Sequence, residues 1–221
     1  MEELFFEEPI CPFCGEAAAI VRQRRAQKIM GKNFFGIEEV IKHFKVNPTH
    51  QQLTVLAKIP FSERVLEELK DSYILVAVFP LSILDIRSKV DSKLFYDQSW
   101  YNNESFAEER GEAGWQLVRK TPVPSSASKN WSEQQKLLAK NDEVPTARIM
   151  VYTIIGYYLA TGERLFKDIW VRTSSLPSDG YRVRVGCFYL IGLRFFYYWD
   201  GLRNIGISLA ASRKFPAPQQ N

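Results

Sequence analysis

Four side chains in the first fifty residues are of the types that bind zinc. Cys11 and Cys14 lie in Cys11-Pro-Phe-Cys14-Gly, and His43 and His50 are the two histidines of the chain. Two thiolates three residues apart form the first half of a zinc knuckle, and two imidazoles would complete a four-coordinate set. The second half of the knuckle is missing, and the histidines stand seven apart where three to five is the usual spacing. Two readings stand, a zinc site and a plain turn before a helix, and the spacing favours the turn.

Other catalytic or cofactor chemistry finds little support. A Ser-His-Asp set needs a histidine beside the nucleophile, and both histidines are N-terminal. Glu133, Glu163 and Asp200 have no partner at acid–base spacing and read as caps or surface ion pairs. Calcium-dependent sugar recognition needs a cluster of loop oxygens, for which Asp200 with Asn204 is too thin. Cys187 leaves an odd cysteine over, so no disulfide framework is expected. The sequence points away from an enzyme.

It points instead to a binding surface between Thr173 and Arg213. Lys, Glu, Gln, Met and Trp are almost absent there, Trp199 being the sole exception. These five are the types that a codon ending in C cannot encode. Cys187, Tyr189, Leu190, Ile191, Arg194, Phe196, Tyr197, Tyr198, Leu202 and Asn204 can all be reached from the asparagine codon AAC by changing only its adenines. They sit in a framework of Val183, Val185, Gly186, Phe188, Gly192, Leu193, Trp199 and Asp200. Strands avoid Lys, Glu and Gln in any case. But Leu193-Arg-Phe-Phe-Tyr-Tyr-Trp199 carries more rings in sequence than one strand face can bury, and alternation must send some outward. Clustered exposed aromatics mark a binding surface.

The secondary structure that carries these residues can be read from the pattern. A helical N-terminal region is expected over residues 1–71: Glu16 to Met30, Gly36 to Phe44, Thr49 capping a helix to Leu56, and Ser62 capping Glu63 to Lys70. Tyr73 to Phe79 reads as a buried strand ended by Pro80, with Ser82 to Ile86 as a second strand. The aromatics from Phe95 to Phe106 suit a loop packed by large side chains. Gly114 to Lys120 is a strand. Asn130 with Glu133 makes a capping box for a helix reaching Lys140, and Pro145 opens an apolar helix to Ala160, stopped by Gly162. Strands come next over Trp170 to Thr173, Tyr181 to Tyr189, Leu193 to Trp199 and Ile205 to Ala211, in antiparallel pairing. A tail covers 216–221.

The 221 residues carry a net charge of +4, with cations and acids interspersed, which is thin support for a nucleic-acid partner. Arg22, Arg24, Arg25 and Lys28 nonetheless make one basic helix face, either a phosphate contact or a solvated surface. Met1-Glu-Glu-Leu-Phe-Phe-Glu-Glu is acidic where a secretory leader is basic, so no signal peptide is expected and the cytoplasm is the default location. The apolar run Ile149 to Ala160 falls short of the roughly 20 residues of a membrane span.

In this order, Trp115-Gln-Leu-Val-Arg, two helices, Val171-Arg-Thr173, Gly180-Tyr-Arg-Val-Arg-Val-Gly-Cys-Phe188, Gly192-Leu193, Trp199-Asp200 and Ser212-Arg-Lys214 resemble the variable proteins of diversity-generating retroelements. The match covers about residues 72 to 214, and its terminal signature is the specific part. The resemblance implies an α+β, C-type-lectin-like domain of antiparallel strands with two helices over 72–215. Its C-terminal strands and loops would present a hypervariable ligand-binding face, rewritten by a reverse transcriptase that errs at template adenines. The residues implied as diversified are Arg184, Cys187, Tyr189, Leu190, Ile191, Arg194, Phe196, Tyr197, Tyr198, Leu202 and Asn204, with Gly201, Ile205 and Gly206 beside them. Phe188, Leu193 and Trp199 are implied framework, the Trp codon containing no adenine. Ser208 departs from the glycine expected there, and the unpaired thiol of Cys187 fits chance diversification better than design. The implied partner is a protein or other macromolecule, with no cofactor. The alternative is an undiversified interaction module, nucleic-acid-binding or otherwise, with an aromatic partner-binding face.

Overall fold

Every residue of the strand Tyr73–Val78 is buried, as its sequence Tyr-Ile-Leu-Val-Ala-Val requires if both faces are covered. The computed structural model describes residues 12–215, with side chains from residue 19 onward. Among these, eight α-helices and nine strands alternate along the chain in a mixed arrangement with two sheets. The strands are β1 (Phe34–Phe35), β2 (Tyr73–Val78), β3 (Gly114–Arg119), β4 (Asp142–Glu143), β5 (Trp170–Arg172), β6 (Arg182–Tyr189), β7 (Gly192–Tyr198), β8 (Ile207–Leu209) and β9 (Ser212–Arg213). One sheet runs β1-β2-β3-β9-β4 and the other β7-β6-β5-β8.

The N-terminal helices are α1 (Pro12–Met30), α2 (Ile37–Phe44), α3 (His50–Leu56) and α4 (Glu63–Leu69). Thr49 and Ser62 cap α3 and α4 by accepting hydrogen bonds from the amides of Gln52 and Val65. This segment shares its core with the rest of the chain. β1 pairs in parallel with β2, Trp115 Nε1 donates to the Leu56 carbonyl at 2.8 Å, and Phe44 packs edge-on against Tyr152 at 4.8 Å. Residues on both sides of position 71 thus belong to one continuous hydrophobic core.

Later helices are α5 (Ile83–Lys89), α6 (Ser105–Glu108), α7 (Trp131–Gln135) and α8 (Ala147–Thr161). All residues of α8 from Ala147 to Tyr157 are buried, because it lies between β2 of the first sheet and β6 of the second. That position explains its apolar character all round. Thr146 caps its start and Gly162 ends it. Among the described residues no helix is long and apolar enough to cross a membrane.

Three local expectations fail. Ser82 to Ile86 is not a strand but the start of α5: the Ser82 hydroxyl accepts from the Asp85 amide at 3.0 Å and the Asp85 carboxylate accepts from the Ser82 amide at 2.9 Å. This capping box uses Asp where Glu or Gln is usual, and it overrides the local β preference. The helix opened by Asn130 has its capping box but stops at Gln135, five residues short of Lys140. The last segment pairs in parallel, not antiparallel: β8 runs beside β5, and β9 crosses to the first sheet. The chain after β7 therefore traverses the end of the second sheet to its far edge. Arg172, buried at β5, fixes that crossing by donating to the carbonyls of Leu202 (2.7 Å) and Lys129 (3.0 Å) and to Gln134 Oε1 (2.8 Å).

Candidate ligand-binding surface

Alternation in the β6–β7 hairpin sorts the C-terminal residues into two faces. Val183, Val185, Leu193 and Phe195 point inward and are fully buried, with Phe188 beside them. Phe95 stacks on Phe195 at 6.1 Å, and Tyr101 lies 4.5 Å from it. The opposite face carries Arg182, Arg184, Arg194, Phe196 and Tyr198, in the register Arg182↔Tyr198, Arg184↔Phe196 and Gly186↔Arg194. Phe196 and Tyr198 are 47% and 41% exposed. Two neighbours in sequence, Phe195 and Phe196, thus have opposite fates.

The hairpin is held by two glycines. A Cβ at Gly192, where φ is +107°, would sit 2.4 Å from the backbone of Phe95 and Tyr96. That contact lets the Tyr96 amide donate to the Leu193 carbonyl at 2.9 Å. Gly186, at φ +148°, sits where a Cβ would strike the Ile169 carbonyl oxygen. Just beyond it the register slips between Gly186 and Tyr189, a β-bulge.

Most of the residues expected on a ligand-binding face are exposed or half-buried. Leu190 is 86% exposed at the hairpin tip and Ile191 stands beside it, both bordering a cleft of about 910 Å³ with Arg87, Lys93 and Tyr96. Tyr189 is exposed, and its carbonyl accepts from Arg164. Arg184 and Arg194 are half-buried, Tyr197 is half-buried against Trp100 at 4.7 Å, and Leu202 is half-buried. Asn204 is exposed, but its Oδ1 accepts from the Gly206 amide at 2.8 Å and so shapes the turn. Ile205 is exposed and Gly201 packs under the Trp199 ring. Trp199, assigned to the framework, is 53% exposed.

Cys187 is the least exposed of these residues. It is 8% exposed in the bulge with φ +46°, and burial pushes its thiol pKa up. Its parity is that of the inward Val183 and Val185, and the bulge leaves it within reach of the charges of Arg184 and Arg194. Its small exposed area offers little contact of its own.

β7 is an edge strand. The loop at residues 95–98 covers its first half, Gln98 Nε2 donating to the Phe195 carbonyl at 3.1 Å. At the second half an open groove of about 500 Å³ is lined entirely by rings: Trp100, Tyr181, Phe196, Tyr197, Tyr198 and Trp199. Tyr181 stacks on Tyr197 at 6.3 Å. Tyr181 and Trp100 were not among the expected site residues. Tyr181 lies within the codon-biased stretch, a signal that could have found it, whereas Trp100 is brought in only by tertiary contact.

Cations line the outer face between the rings. The guanidinium carbon of Arg184 lies 4.9 Å from the ring centres of Trp170 and Phe196 and 5.7 Å from Tyr198. Arg194 lies over Tyr96 at 4.6 Å and Arg182 over Trp131 at 3.9 Å. Burial, and then the charge of Arg172, lower the Arg184 pKa. The carboxylates nearby are already engaged: Asp200 with Arg182, and Glu133 with Arg203 at 2.8 Å. The Arg203 hydrogen bond, then that of the Asn130 backbone, hold Glu133 down at about 2. Glu163 pairs with Lys32 and accepts from the Tyr157 hydroxyl.

Elsewhere, Cys11 lies outside the described residues, as does the side chain of Cys14. His43 packs against Phe35, its pKa lowered chiefly by burial, and His50 is exposed at the start of α3. No group of three or more metal-binding side chains comes together among the described residues. Arg22, Arg24, Arg25 and Lys28 are exposed along α1, with Arg25 paired to Glu63 at 3.2 Å. Compared with protein-family models, curated proteins and solved structures, the chain matches none of them.

Proposed function

We propose that this protein is a ligand-binding protein whose C-terminal strands and loops form a diversifiable recognition surface on a C-type-lectin-like scaffold. Diversification would come from a retroelement reverse transcriptase that miscopies adenines. The carrying observation is the division of the hairpin by direction. Arg184, Arg194, Phe196 and Tyr198, which the resemblance implies as diversified, face outward, while Val183, Val185, Leu193 and Phe195, interleaved with them, fill the core. A sheet tolerates varied side chains more readily on its solvent-facing side than on its core side, since packing penalties are largest where neighbours leave no room.

The surface has the character of a paratope. Tyr, Phe and Trp supply contact area with few rotatable bonds, and Arg adds adaptable polar contacts. The aromatic groove gives a partner side chain a pocket in which to anchor. This reading names no reaction, and its ligand is set by selection and not by ancestry.

The test is a library in which Arg184, Arg194, Phe196, Tyr198, Val185, Leu193 and Phe195 are each randomised with C-ending codons and sorted for folded, protease-resistant protein. Near-even residue usage at the first four and strict selection at the last three is the expected result. Equal constraint on both sets would remove the reading. The neighbouring DNA provides a second check: a near-copy of the last coding segment, with adenines at the outward codons, beside a reverse-transcriptase gene.

A further inference from the structure

Arg184 and Arg194 differ from Arg182 on the same face and from Arg203 in the segment after β7. Arg182 has Asp200 at 3.3 Å and Arg203 has Glu133 at 2.8 Å, whereas neither Arg184 nor Arg194 meets a carboxylate among the described residues. Arg184 is also held in place without one. Three rings surround its guanidinium, and its Nε is shielded from solvent with no acceptor. An unpartnered Nε also occurs at Arg213 in the first sheet, so what sets Arg184 apart from it is the missing carboxylate.

The stacking decides what can pair with Arg184. A guanidinium lying over a ring occupies the face on which a nucleobase would stack, and Arg184 and Arg194 cover faces of Trp170, Phe196 and Tyr96 in this way. What such an arginine still offers is its in-plane N–H edge, whose fork geometry matches a carboxylate. The register adds room. Gly186 stands between Trp170 and Arg194 and brings no side chain of its own to the outer face. Phe196 and Tyr198, which flank Arg184, also line the aromatic groove. Carboxylate pairing and an apolar anchor are therefore adjacent.

We infer that the partner of this face is an acidic peptide segment, with carboxylates seated on Arg184 and Arg194 and a bulky apolar side chain of the same segment in the groove; the inference rests on the binding-surface reading above. The two arginines are diagonal neighbours on paired strands, about 7–8 Å apart at Cα. Acidic residues two positions apart in an extended segment lie at a similar spacing.

The test selects a phage-displayed library of random dodecapeptides on the immobilised full chain at physiological salt. Enrichment of Asp or Glu next to aromatic or branched apolar residues is expected. A synthetic copy of an enriched peptide should lose about tenfold in affinity on Arg184→Gln and on Arg194→Gln, and should weaken as salt rises. Arg194→Gln leaves the Arg184 stack in place, so it keeps the test valid if Arg184→Gln lowers the thermal midpoint. Peptides without acidic bias, affinity indifferent to both variants, no enrichment at all, or displacement of the peptide by an oligo-dT strand through Arg184 would each overturn the acidic partner. Loss of binding on Phe196→Ala with no change on either arginine variant would overturn it while leaving the recognition surface standing. Binding that ignores Phe196, Arg184 and Arg194 alike would remove both.

Discussion

An arginine–tyrosine cluster occurs in each sheet, and among the described residues only the one in the first sheet contains a carboxylate. In the first sheet Arg119 and Arg213 both lie 5.7 Å from the ring of Tyr73, and Asp142 supplies the carboxylate. The Tyr73 hydroxyl donates to Asp142 Oδ2 at 2.6 Å, and Arg213 pairs with Oδ1 at 3.3 Å, a contact better described as an ion pair than as an aligned hydrogen bond. In the second sheet Arg184 has its rings but no acid. The interior cluster joins β2, β4 and β9 and so closes the chain on itself, and a charge there must be neutralised from within. The surface cluster can leave that role to a partner.

Replacing an inward ring of the hairpin breaks the contrast most severely. Phe195→Ala removes a fully buried ring that packs on Phe95 and Tyr101, and about 4 kcal/mol of unfolding free energy should be lost in a urea titration. Asp142→Ala comes next. It strands Arg213 and the Tyr73 hydroxyl in the interior, for a loss of about 3 kcal/mol by the same measurement. An effect near zero would mean that the first-sheet cluster is dispensable, and the comparison would fail.

A pH titration sharpens the same point. Burial, then the hydrogen bond to Asp142, push Tyr73 from 10.0 up to about 12. A group whose pKa is raised by folding stabilises the fold below its unfolded value and loses that contribution as the pH climbs through the folded one. Stability should therefore be level up to about pH 10 and fall between 10 and 12, by ~2 kcal/mol from this residue. Tyr73→Phe should blunt that fall. The smallest effect is expected on the outer face: Phe196→Ala and Tyr198→Ala should each change stability by less than about 1 kcal/mol, since both rings are already half in water. A loss comparable to that of Phe195→Ala would show the outer rings to be core and would end the distinction between the faces.

Several features were legible because they are local. Thr49, Ser62 and Asn130 announce helix starts through their own side chains, and the uninterrupted apolar run of β2 declares burial on two faces. Alternation through Leu193 to Tyr198 assigns opposite faces to Phe195 and Phe196 without any knowledge of the rest. Ser82 misled because the isoleucines after it, Ile83 and Ile86, hid a capping box built with Asp. Cys187 was grouped with the outward residues by residue type, whereas its parity, shared with Val183 and Val185, and its burial set it apart from them.

Residue types along the C-terminal stretch were enough to suggest the resemblance on which the proposed function rests, and hydrophobic period was enough to tell which strand positions had to be apolar. Packing in three dimensions was needed to set β8 parallel beside β5, to join Trp100 and Tyr181 to Tyr197 in one groove, and to leave Arg184 among three rings without an acid. Residue types and hydrophobic periods are read along the chain, within a few residues of each other. Which side chains meet across strands and loops far apart in the chain depends on register, bulge and crossover, and those are settled only when the whole core packs at once.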